Sequence, residues 1–133
     1  MAEGNTAGAG APAGLERVQR LTAYIKETDH VEHRPLYLRI LELVKNSGIA
    51  GATVLKGVAG YSISSRSIRS AGFADLHQDL PLLVIIVDRA AQLETLLPQI
   101  TAWVQVNGGM VTLEDLQGYH FLHPHKGDRG AHA

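Results

Sequence analysis

The sequence predicts an α+β fold of the ferredoxin-like βαββαβ kind, an antiparallel sheet with two helices on one face, and two observations predict it. The apolar period alternates between two and 3.6 residues in the order strand, helix, strand, strand, helix, strand. The chain has 133 residues, 45% of them hydrophobic and 19% charged, which suits one compact domain and is too short for two. The first strand is read over Gln19 to Lys26, where Leu21, Ala23 and Ile25 alternate with Arg20, Thr22, Tyr24 and Lys26. A polar loop follows. The first helix opens with Pro35 at its first position, carries the stripe Leu36, Ile40, Leu43 and Val44, and stops at Gly48. Ala52 to Gly60 reads as the second strand and Leu82 to Val87 (LLVIIV) as the third. Asp88 is positioned to cap the second helix, whose buried face is Leu93, Leu96, Leu97, Ile100 and Val104. Pro98 inside that helix predicts a kink. A short strand from Met110 and another near Gly118 to Phe121 complete the set.

The domain is expected to run over 15–122. Residues 1–14, dominated by Gly and Ala, read as a disordered N-terminal tail, and 123–133 as a flexible C-terminal tail. The third strand is apolar on both faces, while both helices lie on one side of the sheet. A second subunit against the open face resolves this, the alternative being the last strand or a tail folded over it.

Composition excludes several functions. Twelve Lys+Arg against thirteen Asp+Glu give a net charge of −1, so there is no basic footprint for nucleic acid. With no cysteine there is neither a disulfide framework nor a thiol nucleophile. No apolar run reaches the ~20 residues of a membrane span, and no signal peptide is visible, so a cytoplasmic protein is expected. Glu114 and Asp115 are adjacent on a strand and point to opposite faces, and there is no G-x-S-x-G elbow, so no enzyme is expected. No G-x-G-x-x-G or Walker A motif occurs. Trp103 reads as core. His30 and His33, with His120, His123, His125 and His132 in the tail, leave open an alternative, a trimeric metal-binding protein of the same fold, although no recognised ligand spacing assigns a metal residue.

The segment Tyr61 to Pro81 is too long for a hairpin turn. Its first half carries Ser62, Ser64, Ser65, Arg66, Ser67, Arg69 and Ser70, hydroxyls and cations that suit phosphate or an acidic partner and also offer phosphorylation sites; its second half carries Asp75 and Asp79. Parallel first and second strands would place this loop, the loop Glu27 to Arg34 and the turn Asn107 to Gly109 at one end. His30, His33 and Arg34 at a helix start, with the glycines of the turn, would make that end an anion or nucleotide site.

HRPLY at His33 to Tyr37, GATVLKGVAGYS at Gly51 to Ser62, DLPLLVIIVD at Asp79 to Asp88 and GGMVTLEDL at Gly108 to Leu116 together resemble the bacterial PII-like proteins long filed as a domain of unknown function. The resemblance spans nearly all of Leu15 to Phe121. It implies a homotrimer with nucleotide in the clefts between subunits. It also implies that 61–81 is the T-loop, which engages a membrane transporter or enzyme target. Gly60, Tyr61, Ser62 and Ser64 would then stand at the loop base on the adenine side, and Arg66 in the loop is a further candidate for nucleotide or partner binding. Asn107, Gly108, Gly109 and Met110 would form the phosphate-contacting B-loop, and His33 and Arg34 a bicarbonate site. Two departures bear on the ligand: Gly60-Tyr61-Ser62 replaces an aromatic flanked by two glycines, and the usual basic residues do not follow Asn107. AMP or ADP is therefore implied rather than ATP with 2-oxoglutarate, and the carboxysome and inorganic-carbon associations of this branch add bicarbonate as a candidate ligand.

Overall fold

The computed structural model describes residues 15–61, 69–70 and 79–119. Four strands form the main sheet: β1 (Glu16–Lys26), β4 (Ala52–Lys56), β7 (Pro81–Asp88) and β8 (Met110–Gly118). Their order is β4-β7-β1-β8, every neighbouring pair antiparallel, so β1 and β4 run in the same direction. Two short hairpins lie outside it: β2 (His30–Val31) with β3 (Arg34–Pro35), and β5 (Ala59–Gly60) with β6 (Arg69–Ser70). The helices are α1 (Leu36–Asn46) and α2 (Ala90–Asn107).

Alternation along the strands decides which face each residue takes. Leu21, Ala23 and Ile25 of β1 stand opposite Ile86, Val84 and Leu82 of β7, and all six are buried beneath Leu36, Ile40 and Val44 of α1 and Leu93, Leu96, Ile100 and Val104 of α2. The other face carries Val18, Tyr24, Leu55, Leu83, Ile85, Val87, Met110 and Leu116 around Thr22. Leu55, Val87 and Met110 are exposed, and none of these eight belongs to the buried core. Among the described residues the sheet thus has one face packed inside the chain and one apolar face without a helix, as the third strand implied.

Several boundaries differ from the sequence reading, each for a local reason. The second strand is broken after Lys56, because Gly57 turns its amide onto the Pro81 carbonyl (2.8 Å) before Ala59 and Gly60 start a separate ladder with 69–70. Pro35 precedes α1 rather than opening it; its ψ of 132° is extended and it pairs with His30. Arg89, not Asp88, is the N-cap of α2, and the Asp88 carboxylate accepts the Arg89 amide (2.7 Å) instead of an amide of the first helical turn. The expected strands from Met110 and near Gly118 are one strand, paired with β1 along Tyr24↔Met110 to Glu16↔Gly118; residues 120 and 121 lie outside the described residues. The two expected tails and most of the long loop lie outside them too.

Candidate functional site

The strand directions bring the end of β1, the end of β4 and the starts of β7 and β8 to one end of the sheet. A line of polar contacts crosses that end. Glu27 donates its amide to the Leu80 carbonyl (2.9 Å), and its carboxylate reaches across β7 to Lys56 Nζ (2.8 Å). Thr28 donates both its amide (3.2 Å) and its hydroxyl (2.8 Å) to Asp79 Oδ1. Asp29 is buried, and its carboxylate accepts the Lys26 amide and ion-pairs with Lys26 Nζ, both at 2.9 Å. Lys26 Nζ also reaches the Asn107 carbonyl (3.4 Å). Asn107 completes the line: its Oδ1 accepts the His30 amide (3.4 Å), and its Nδ2 donates to the His30 and Trp103 carbonyls (both 3.1 Å). The C-terminal end of the long loop, the β2–β3 hairpin and the turn after α2 are therefore tied to the end of β1 and the residues that follow it.

The hairpin itself turns through Glu32 and His33, whose φ values of 52° and 67° are both left-handed. Two successive positive φ values are the signature of a two-residue turn that matches strand twist and normally favours Asn or Gly. Here Arg39 on α1 holds the Glu32 carboxylate at 2.7 Å while its guanidinium lies 5.3 Å from the centre of the Trp103 ring on α2. Trp103 is half-buried against the core, in keeping with a packing role.

The residues expected to bind ligand fall into separate groups. Gly60, Tyr61, Asn107, Gly108, Gly109 and Met110 are at the loop-bearing end, as are His33 and Arg34. They do not form one cluster. Gly60 packs on Pro81 at the start of β7 and Tyr61 follows it, whereas the Asn107 to Met110 turn leads into the edge strand β8, with β1 between β7 and β8. Ser62, Ser64 and Arg66 lie outside the described residues.

Several of these residues also have a structural reason to be what they are. A Cβ on Gly109 would stand 2.4 Å from the Tyr24 carbonyl oxygen, and one on Gly60 would stand 2.7 Å from Pro81 Cγ. Gly108 ends α2 in the left-handed region at φ 81°. Asn107 spends its amide on the hairpin. Arg34 donates to both carboxylate oxygens of Glu42 (2.9 and 2.5 Å), and this hydrogen bonding, with the charges of Arg34 and Arg39, holds the Glu42 carboxyl below its ordinary range. The His30 ring bonds the Thr28 carbonyl (2.6 Å). Among the described residues no group of three or more His, Asp or Glu side chains is arranged to hold a metal ion. His120, His123, His125 and His132 lie outside them.

Lys56, Glu27, Thr28 and Asp79 were not singled out as site residues from the sequence. Their partners are separated by 29 and 51 positions, so no local spacing announces them. At the opposite end of the sheet a cavity of about 460 Å³ is lined by Glu16, Val18, Val87, Asp88, Arg89 and Tyr119, among others. No described helix is long and apolar enough to cross a membrane.

The model of the DUF190 family, described as Uncharacterized ACR, matches residues 18–118. The chain is 32% identical over 97 residues to the UPF0166 protein of Aquifex aeolicus, covering 73% of this chain and 89% of that protein. It is 30% identical over 99 residues to a UPF0166 protein of Methanocaldococcus jannaschii, covering 74% and 89%. Among solved structures it is similar to CPII, a nitrogen regulatory PII-like protein from Thiomonas intermedia K12 bound to ADP, AMP and bicarbonate, with TM-score 0.61 and 15% identity over 80% of this chain and 92% of that one. It is also similar to a PII-like signaling protein of Thermus thermophilus, with TM-score 0.57 and 13% identity over 86% and 96%. At these identities the likeness establishes the fold, which is that of the PII-like proteins.

Proposed function

The chain belongs to the DUF190 family and has the PII-like fold, and from that premise we propose that it is a non-catalytic signalling protein that binds AMP or ADP, with bicarbonate, between subunits of a homotrimer. One observation carries this reading: the segments at 57–61 and 107–110 stand at the same end of the sheet, and the strands they adjoin, β4 and β8, are its two opposite edges. Each is half a site. Copies packed edge to edge would bring the 57–61 segment of one beside the 107–110 turn of the next. Glycine at 60, 108 and 109 lets backbone approach a phosphate there.

The apolar open face supports the same assembly, since it gives the copies something to bury. The likeness to CPII, whose structure contains ADP, AMP and bicarbonate, supports the ligand class. Ligand contacts available in only one conformation of 61–81 would shift that loop's population and so its engagement of a target, for which an inorganic-carbon transporter is our proposal. Calorimetric titration of the full chain with AMP, ADP and ATP, each with and without bicarbonate, tests the reading. We expect AMP or ADP to bind more tightly than ATP and bicarbonate to strengthen the complex. Absence of binding by all three nucleotides would overturn it.

A further inference from the structure

The cations at the loop-bearing end differ in how firmly the chain's own acids hold them. Lys26 is enclosed, with its side chain only 17% exposed, between the buried Asp29 carboxylate and the Asn107 carbonyl. Arg34 is gripped at two points by Glu42, and Arg39 is held by Glu32 while its guanidinium packs over Trp103. Lys56 is different. Its ammonium is held at one described point, Glu27 Oε2, and the two side chains are 54% and 35% exposed.

An exposed single-point pair of this kind contributes little to stability, so exchanging it costs little. Its position is fixed all the same. Gly57, the next residue, is pinned by its amide to the Pro81 carbonyl (2.8 Å) and packs so closely that a Cβ would stand 2.7 Å from Pro81 Cγ. Glu27 is likewise anchored by its amide on Leu80. The backbone at the base of the long loop is thus held in place while the Lys56 head can change partners.

We infer that Lys56 receives the anionic group of the ligand at the base of the 61–81 loop, and that Glu27 is the displaceable counter-ion that occupies it beforehand. The inference rests on the nucleotide-binding reading and adds to it the cation. In the exchange Lys56 passes from one carboxylate oxygen to a phosphate or bicarbonate oxygen, and Glu27 turns into water. Because the Glu27 backbone cannot follow, its charge stays near the incoming anion and opposes it. Both the attraction of Lys56 and the opposition of Glu27 are stronger for a phosphate dianion than for the monoanion bicarbonate, so removing either charge changes phosphate affinity more than bicarbonate affinity.

The test uses the full chain and the variants Lys56→Met, Lys56→Arg and Glu27→Gln, titrated calorimetrically with ADP and separately with bicarbonate at low salt. Thermal melts and amide spectra identify any variant that fails to fold. Lys56→Met is expected to weaken ADP about tenfold or more, Lys56→Arg to retain most of the affinity, and Glu27→Gln to strengthen it several-fold, with smaller effects on bicarbonate. If ADP binds the wild-type chain and binds Lys56→Met equally well, the inference is overturned and the nucleotide reading stands. If the wild-type chain binds no nucleotide, that reading falls, and inorganic pyrophosphate judges Lys56 alone: a saturable shift of the Lys56 side-chain NMR signals that Glu27→Gln enlarges supports the inference, and an unshifted signal overturns it.

Discussion

Gly109 shows how one residue serves the fold whatever it does for a ligand. Its missing Cβ lets the turn after α2 press against the Tyr24 carbonyl, where an added methyl would be 2.4 Å from backbone oxygen with no flexible side chain to yield. Gly109→Ala is expected to destabilise the protein by about 3 kcal/mol, read from urea unfolding at fixed protein concentration. Gly48→Ala, left-handed at φ +78° with open space around it, should cost only about 1 kcal/mol. Glu42 offers a pH-dependent counterpart. Its folded pKa is depressed, chiefly by the Arg34 hydrogen bonds, so its stabilising contribution is present above the unfolded carboxylate value and is lost as pH falls through the lower folded one. An NMR titration should find the Glu42 carboxyl protonating below ordinary glutamates, and Arg34→Ala should return it to their range.

Among the elements, α2 runs 18 residues through Pro98, which is exposed and lacks the amide that would bond the Glu94 carbonyl. Pro98→Ala should raise stability by about 1 kcal/mol or more, measured as an increase in Tm, because it supplies the missing donor without touching the core. The elements were legible wherever alternation or a helical stripe had a core to face: β1, β7, α1 and α2 stand where those patterns predict. Their ends were less so. Pro35 pairs with His30 and Arg89 takes the cap, outcomes set by contacts made in the folded chain rather than by local preference. The β2–β3 turn was invisible because Glu32 and His33 take left-handed conformations that their identities disfavour, with α1 holding Glu32 there through Arg39. The site followed the same division. Topology placed the ends of the three expected loops at one end of the sheet, but the pairs Lys56 with Glu27 and Thr28 with Asp79 join distant segments across the finished sheet.

For the whole molecule, the uneven sheet matters most. The face toward the helices is filled by this chain alone, and the other leaves Leu55, Leu83, Ile85 and Val87 side by side across β4 and β7. If copies cover that face, Ile85→Lys, which puts a charge at its centre without entering the helix-side core, should turn an oligomer into a folded monomer in light scattering. A persisting oligomer would place the interface elsewhere. The division between faces also orders events in time. The helix-side core needs no second chain, so it can close in a first-order step at a rate independent of protein concentration. If copies cover the other face, that step requires an encounter, and its rate rises with concentration. On that assembly, newly made chains would pass through a folded but sticky stage, longest when they are scarce, in which one face of the sheet is complete and the other is waiting.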